Sequence, residues 1–195
     1  GLVRRLGRLD QAIAISEFLL IRDPVNVFGG YELATSYYYA GRLDEAIACI
    51  RKGLALRDRL RGDPLLSFCM APHAPYTVSD ATLERVVTLA AQLDLPIHIH
   101  IHETRAEIEE SLRLHGLRPL ERLHRLGILG PGLIGVHAAH LEADEIRLLA
   151  KFDCSIAHCP SSNMKLGSGI APIVAMLEQG LRIGLGTDGA ASNNR

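Results

Sequence analysis

Five short apolar runs, separated by amphipathic stretches, follow residue 64 and constrain the fold more than any other feature of this sequence. Short apolar runs are typical of buried strands, and apolar residues at helical spacing are typical of surface helices. The runs predict strands near residues 65–71, 96–102, 133–137, 154–158 and 181–187. The amphipathic stretches predict helices near residues 80–93, 105–115, 118–126, 142–151 and 171–179. Strand–helix alternation of this kind indicates βα units and a parallel sheet.

The start of one of these helices also has a local signal. Thr104 and Glu107 have the spacing of a capping box, in which a threonine and a glutamate satisfy the first free N–H groups of a helix. We therefore expect a helix to begin directly after the second strand.

A different pattern precedes residue 60. The segments Gly7–Ala14 and Gly41–Ala48 are identical at seven of eight positions and lie 34 residues apart. Asp23 and Pro24 between them predict the end of one helix and the start of another, so helices are expected near residues 9–22, 25–40 and 43–57. The period and the small alanines resemble tetratricopeptide repeats over residues 1–58.

About three such repeats are needed for independent stability, so this helical segment is expected to pack on another structure. A packing role and recognition of a peptide partner both stay open. The charged, turn-forming residues 57–64 predict the boundary, with a tetratricopeptide-like all-α segment over residues 1–60 and an α/β segment over residues 61–195.

Composition excludes several classes of partner. The chain of 195 residues has 21 Lys+Arg and 22 Asp+Glu, and its net charge of −1 favours neither nucleic acid nor an acidic membrane surface. The four cysteines form no Cys-x-x-Cys pair and fit a reducing compartment. No apolar run is long enough for a membrane span and none resembles a secretory signal, so we expect a cytoplasmic protein.

Polar and titratable side chains cluster where the predicted strands end, which is where parallel α/β sheets bind ligands. His98, His100 and His102 alternate with isoleucines, so the period of two places the three imidazoles on one face of a strand. Three neighbouring imidazoles are costly to bury without partners, and imidazole is a common metal ligand. With Glu103 and Asp188 at strand ends, the pattern predicts a metal or catalytic site.

These residues also carry a family resemblance. Residues 65–195 resemble the amidohydrolase superfamily, in particular the 5′-methylthioadenosine/S-adenosylhomocysteine deaminases and their chlorohydrolase relatives. The segments that match, in order along the chain, are Ala71–Tyr76, His100–Thr104, Ser162–Leu166 and Gly186–Asn194. The resemblance implies a partial (β/α)8 TIM-barrel segment of about five parallel strands, corresponding to strands four to eight.

The resemblance also implies roles for individual residues. His100 and Asp188 would bind one divalent metal ion (Zn²⁺, Fe²⁺ or Mn²⁺), and Asp188 would accept a proton from water. Glu103 would donate a proton to a ring nitrogen, His137 would orient the attacking oxygen and stabilise the adduct, and His73 would contact the substrate. The implied reaction is hydrolytic deamination of an adenine-type nucleoside, a small-molecule substrate.

The sequence departs from the family pattern before residue 65. The family's first strand carries a His-x-His pair that completes the metal site, and helical repeats stand in its place here. We therefore expect weak metal binding, and an open sheet that is covered by the helical segment or by a second copy of the chain.

Other functions stay open at this point. The chain could serve as a scaffold that binds proteins through its repeats, or as a recombined fusion, with an inert barrel segment in either case. Among enzymes, an amino- or chloro-triazine hydrolase is the alternative. A Gly-x-Gly-x-x-Gly segment at residues 184–189 is not followed by a predicted helix, which argues against a dinucleotide site. The cytidine-type deaminase motif is absent from the sequence.

Overall fold

A computed structural model describes residues 6–22, 27–189 and 192. Its internal contacts divide the chain into two units, Gly1–Ser67 and Phe68–Arg195. The boundary at residue 60 stays a proposal, and a described helix ends at Leu60. Within the described residues, no helix combines the length and the apolar character needed to cross a membrane.

The first unit consists of helices. They are α1 (Leu9–Arg22), α2 (Val27–Tyr39) and α3 (Leu43–Leu60), close to the predicted ranges, whereas the predicted break at Asp23 and Pro24 lies outside the described residues. Helix α2 packs on both α1 and α3. The core of this unit is formed by Ile13, Leu33, Tyr37 and Ala46.

The repeated segments occupy equivalent places in this unit. Gly7 and Gly41 come shortly before α1 and α3 with φ angles of 74° and 73°, in the left-handed region that glycine adopts without strain. The sequence repeat is therefore a repeated turn followed by a helix.

The second unit alternates helices and strands. Its elements, in chain order, are α4 (Asp80–Leu93), β1 (Ile97–Ile101), α5 (Arg105–His115), α6 (Pro119–Arg125), β2 (Leu133–His137), α7 (Ala143–Lys151), β3 (Ser155–His158), α8 (Pro160–Leu166), α9 (Ile173–Glu178) and β4 (Arg182–Leu185). Helix α8 was not predicted. It has only seven residues, too few to show a helical period, although Pro160 stands at its first turn as expected for a helix start.

The four strands form one parallel sheet in the order β1-β2-β3-β4. Along β1, buried Ile97, Ile99 and Ile101 alternate with the less buried His98 and His100. The isoleucines belong to the core of the unit, and the carboxyl ends of all four strands lie at the same edge of the sheet. Helix side chains that complete this core include Leu83, Leu120, Leu123, Leu149 and Met176.

The prediction of a strand over residues 65–71 is wrong, and the sheet has four strands among the described residues instead of about five. Only Met70 forms a bridge, parallel to Ile97, with its N–H donating to Pro96 O at 2.8 Å and its carbonyl accepting from His98 N–H at 2.8 Å. The next donor of a parallel ladder would be residue 72, which is a proline without an N–H group. Pairing resumes one residue out of step, where His100 N–H donates to His73 O at 3.1 Å.

Candidate metal and catalytic site

His100, His137 and Asp188 meet at the carboxyl edge of the sheet. One ligand-capable atom from each residue lies within 4.8 Å of the others. The sheet explains this meeting, because His137 ends β2 and its backbone pairs with Ile101, one residue after His100. The two imidazoles stack with ring centroids 5.2 Å apart.

A backbone carbonyl fixes the orientation of His100. Nδ1 lies 2.6 Å from His73 O, and a carbonyl oxygen can only accept, so Nδ1 carries the proton and donates it. The other ring nitrogen, Nε2, keeps its lone pair and lies 3.8 Å from Asp188 Oδ1. A histidine held in this way is oriented for a metal ion.

A buried amide fixes His137 in the same manner. Its Nδ1 lies 2.8 Å from Asn163 Oδ1, which also can only accept, so the neutral imidazole has its lone pair on Nε2. Both side chains are almost completely buried, with 1% of His137 and 2% of Asn163 exposed.

Two hydroxyl groups hold Asp188. Ser162 Oγ and Ser192 Oγ donate to Asp188 Oδ2 at 2.7 and 2.6 Å. Burial acts to raise the pKa of Asp188, but the hydrogen bonds from Ser192 and Ser162 outweigh it and hold the pKa below its ordinary value. The carboxylate is therefore charged at neutral pH and can bind a cation.

Glu103 lies beside this group. Its Oε2 is 3.8 Å from His137 Nε2, and its Oε1 accepts a hydrogen bond from Ser168 Oγ at 3.3 Å. The side chain of Glu103 is 15% exposed. A carboxyl group in this position can exchange a proton with a molecule placed next to the histidines.

His73 lies at the outer side of the group. Its ring centroid is 5.0 Å from that of His100, and its Nδ1 is 2.9 Å from Thr77 Oγ1. The ring of Tyr76 meets the His73 ring edge-on at 5.9 Å. The exposed His73 ring thus lies between Tyr76 and His100, tilted by 51° to the His100 ring.

The expectation that His102 shares a face with His98 and His100 is wrong. At His102 the backbone turns into the left-handed region, with φ 49°, and the side chain is fully buried. Its Nε2 accepts from Leu120 N–H at 3.0 Å, and burial lowers its pKa to about 4. His102 is thus a neutral structural residue outside the group of three ligand-capable side chains.

Left-handed backbone at non-glycine residues is concentrated at the strand ends. His102, His137, Ala138 and Asp188 all have φ between 49° and 70°. Such conformations cost of the order of 1–3 kcal/mol each and persist where the surrounding structure holds them. They change the direction of the side chains at the ends of β1 and β2 and after β4, relative to a continued extended strand.

Sequence reasoning assigned no role to Ser162, Asn163, Ser168 and Ser192. Ser162, Asn163 and Ser192 stand in segments that matched the family, so a signal for these three residues was available. Ser168 contacts Glu103 across 65 residues of chain, and no local pattern reveals that contact.

The donor set fits a divalent metal ion. Two neutral imidazole nitrogens and one carboxylate are ligands that Zn²⁺ prefers, and each donor is oriented by a hydrogen bond on its other side. This fit rests on His100, His137 and Asp188 alone.

The chain resembles known proteins over most of its length. The model of the Amidohydrolase family matches residues 21–195. A 5-methylthioadenosine/S-adenosylhomocysteine deaminase of Teredinibacter turnerae is 50% identical over 145 residues, which cover 74% of this chain and 33% of that protein.

Solved structures agree with this match. A zinc-bound adenosine deaminase from Xanthomonas campestris superposes with a TM-score of 0.73 at 42% identity, covering 85% of this chain and 41% of that one. An atrazine chlorohydrolase from Arthrobacter aurescens TC1, complexed with zinc, gives a TM-score of 0.67 at 26% identity over 75% and 33% of the two chains. The chain spans about a third of the length of the curated relative. The family model, together with the sheet and its strand-end residues, shows that the chain belongs to the amidohydrolase family.

Proposed function

We propose that this chain carries the later-strand half of the active site of a metal-dependent hydrolase that deaminates an adenine-type nucleoside. The convergence of His100, His137 and Asp188 within 4.8 Å supports this most directly. The names of the relatives, a methylthioadenosine/S-adenosylhomocysteine deaminase and an adenosine deaminase, favour that substrate class.

His100 and Asp188 would hold the metal ion, and His137 lies close enough to be a third ligand. When bound, a divalent ion such as Zn²⁺ lowers the pKa of water and so favours hydroxide at neutral pH. The charged Asp188 carboxylate would accept the proton of the attacking water. Glu103 would donate a proton to the ring nitrogen next to the carbon that bears the amino group.

The remaining residues orient the substrate and the adduct. His137 would contact the oxygen that adds to the ring, and His73 would contact the nucleoside beside the metal. Asp188 would pass the proton it took from water to the amino group, and the hydroxyl of the adduct would return a proton to Glu103. As the carbon–nitrogen bond breaks, ammonia leaves and the adenine ring becomes a hypoxanthine ring.

The experiment is metal analysis combined with turnover. We expect the purified full chain to bind Zn²⁺, and His100→Ala to lower that affinity at least tenfold, because removing a ligand of a zinc site weakens it by about that factor or more. His98→Ala, on the same strand but outside the ligand group, is the matched control. Equal zinc content in wild type and His100→Ala would refute the metal assignment.

Turnover distinguishes the substrates. Methylthioadenosine with added Zn²⁺ or Mn²⁺ should lose its adenine absorbance and release ammonia. The likeness to the atrazine chlorohydrolase makes a chloro-triazine the alternative substrate, with chloride as its product. Chloride release from the chloro-triazine, without ammonia release from methylthioadenosine, would refute the deaminase proposal in favour of a chlorohydrolase.

We further propose that residues 1–60 form a tetratricopeptide-like segment, on the basis of the 34-residue offset and the helices α1 to α3. Its candidate partners are a peptide or a second copy of the chain. Sedimentation of the full chain tests self-association, and a monomer at all concentrations would refute it.

A further inference from the structure

Glu107 is a buried carboxylate that binds the backbone ahead of helix α5. Its Oε1 accepts from His102 N–H at 3.1 Å, and its Oε2 accepts from Glu103 N–H at 2.8 Å. The residue is only 5% exposed. Burying a carboxylate is costly unless it is hydrogen-bonded, and here both donors belong to Glu103 and the residue before it.

This arrangement goes beyond the helix cap that the sequence predicts. Thr104 Oγ1 accepts from Glu107 N–H at 3.2 Å, which is the first half of a capping box. In the second half, the glutamate would accept from the N–H of Thr104 itself. The Glu107 carboxylate also accepts from the N–H groups of the two residues before Thr104, so its position does more than cap the helix.

The bonds hold a turn that determines where Glu103 points. His102 adopts a left-handed conformation, with φ 49°, that side-chain-bearing residues disfavour. Immediately after this turn, the Glu103 carboxyl lies 3.8 Å from His137 Nε2 and accepts from Ser168 Oγ. If the turn relaxed toward an extended strand, the side chain of residue 103 would leave that place.

We propose that Glu107 is a positioning residue for Glu103, in that its two hydrogen bonds fix the backbone from which the Glu103 carboxyl reaches the ligand group. The inference rests on the proposed function, in which Glu103 donates a proton to the substrate. Displacement of a reacting group by an ångström lowers rates by up to about 100-fold.

The test compares Glu107→Gln with Glu109→Gln in the full chain. Gln keeps the size of Glu but replaces one acceptor oxygen with an NH₂ donor, which then faces an N–H donor. Glu109 lies on the same helix and is exposed, so the same substitution there controls for the loss of charge. Glu107→Asp keeps the charge but shortens the reach and should give an intermediate effect.

Two readouts need no catalysis. By NMR, we expect Glu107→Gln to speed hydrogen exchange of the Glu103 amide at least tenfold and to abolish nuclear Overhauser contacts between the Glu103 side chain and the His137 ring. Glu109→Gln should leave both unchanged. Contacts that persist in Glu107→Gln overturn the proposal, whether or not the chain turns over substrate.

Kinetics then test the consequence. On methylthioadenosine with Zn²⁺, we expect kcat to fall about 10- to 100-fold in Glu107→Gln while KM stays within about twofold, because the loss concerns the reacting group. An unchanged kcat with lost Glu103–His137 contacts would leave the positioning role of Glu107 intact but refute the proton donation by Glu103 on which the proposed function relies. Absence of turnover in the wild type refutes the proposed function, and the NMR comparison still decides whether Glu107 positions Glu103.

Discussion

Replacement of Asn163 should change the metal affinity of the site formed by His100, His137 and Asp188 without removing any of its ligand atoms. Asn163 Oδ1 accepts the Nδ1 proton of His137 at 2.8 Å. The substitution Asn163→Ala removes this acceptor without touching any ligand-capable atom. We expect the change in metal binding to come from the orientation or tautomer of His137, with the neighbouring Ser162 still donating to Asp188.

The structure sets the expected magnitude. His137 is 1% exposed, so water cannot replace the lost acceptor. A buried donor left without a partner costs about 1–3 kcal/mol. Loss of the group that orients a metal-binding histidine lowers metal affinity about 10- to 100-fold, which corresponds to about 1.4–2.7 kcal/mol.

The assay is competition for Zn²⁺ against a chromogenic chelator, combined with ¹⁵N NMR of the imidazole. Wild type should show His137 protonated at Nδ1, and Asn163→Ala should show a mixture of tautomers with weaker zinc binding. Asn163→Asp keeps an acceptor at the same place and should retain most of the affinity. Ser161→Ala, at an exposed neighbour on helix α8, is the control. Zinc affinity in Asn163→Ala within threefold of wild type would refute the role of Asn163 in orienting His137 for the metal ion.

Two further predictions concern stability in urea. Burial raises the pKa of Glu107 from 4.5 to about 7, more than the hydrogen bonds from the Glu103 and His102 N–H groups lower it, so between these pH values the native state holds a proton that the unfolded state has lost, and above about pH 7 the group is the carboxylate that accepts both bonds. The stabilisation of the folded state by this proton is complete below pH 4.5 and disappears as the pH rises through about 7. By linkage it amounts to about 3 kcal/mol of unfolding free energy. Glu107→Gln should abolish this pH dependence. Arg122 is buried and donates to Asp80, Pro75 O and Val78 O. Its change to Met should cost about 2–4 kcal/mol, whereas exposed Arg125→Met should cost less than about 0.5 kcal/mol; equal effects in these two variants would contradict the role given to Arg122.

The elements of the α/β unit could largely be predicted because their signals are local. Strands β1 and β2 and helices α4 and α5 lie within a residue of their predicted limits, since alternating isoleucines and the cap at Thr104 depend on neighbours in the chain. The prediction of a strand at residues 65–71 was wrong for a reason that is also present in the sequence. Pro72 removes one ladder donor, and apolar content alone does not reveal that loss.

The candidate site was predictable only in part. Its titratable residues stand at strand ends, which the sequence shows, but the contacts between them depend on backbone turns that it does not show. His102 follows the same alternation as His98 and His100. However, its backbone is left-handed and its side chain is buried in the core. Likewise, Ser168 reaches Glu103 only because two distant loops meet.

The hydrogen bonds described for the three ligand-capable residues come from partners within the second unit. His73 O holds His100, Asn163 holds His137, and Ser162 with Ser192 holds Asp188. Metal affinity depends both on how many ligands a site offers and on how well each is oriented. Because hydrogen bonds already orient the three side chains, weak zinc binding by this chain would indicate that it has too few ligands. Tight zinc binding would instead mean that three oriented donors are enough. The two cases differ in how far Asn163→Ala lowers the zinc affinity.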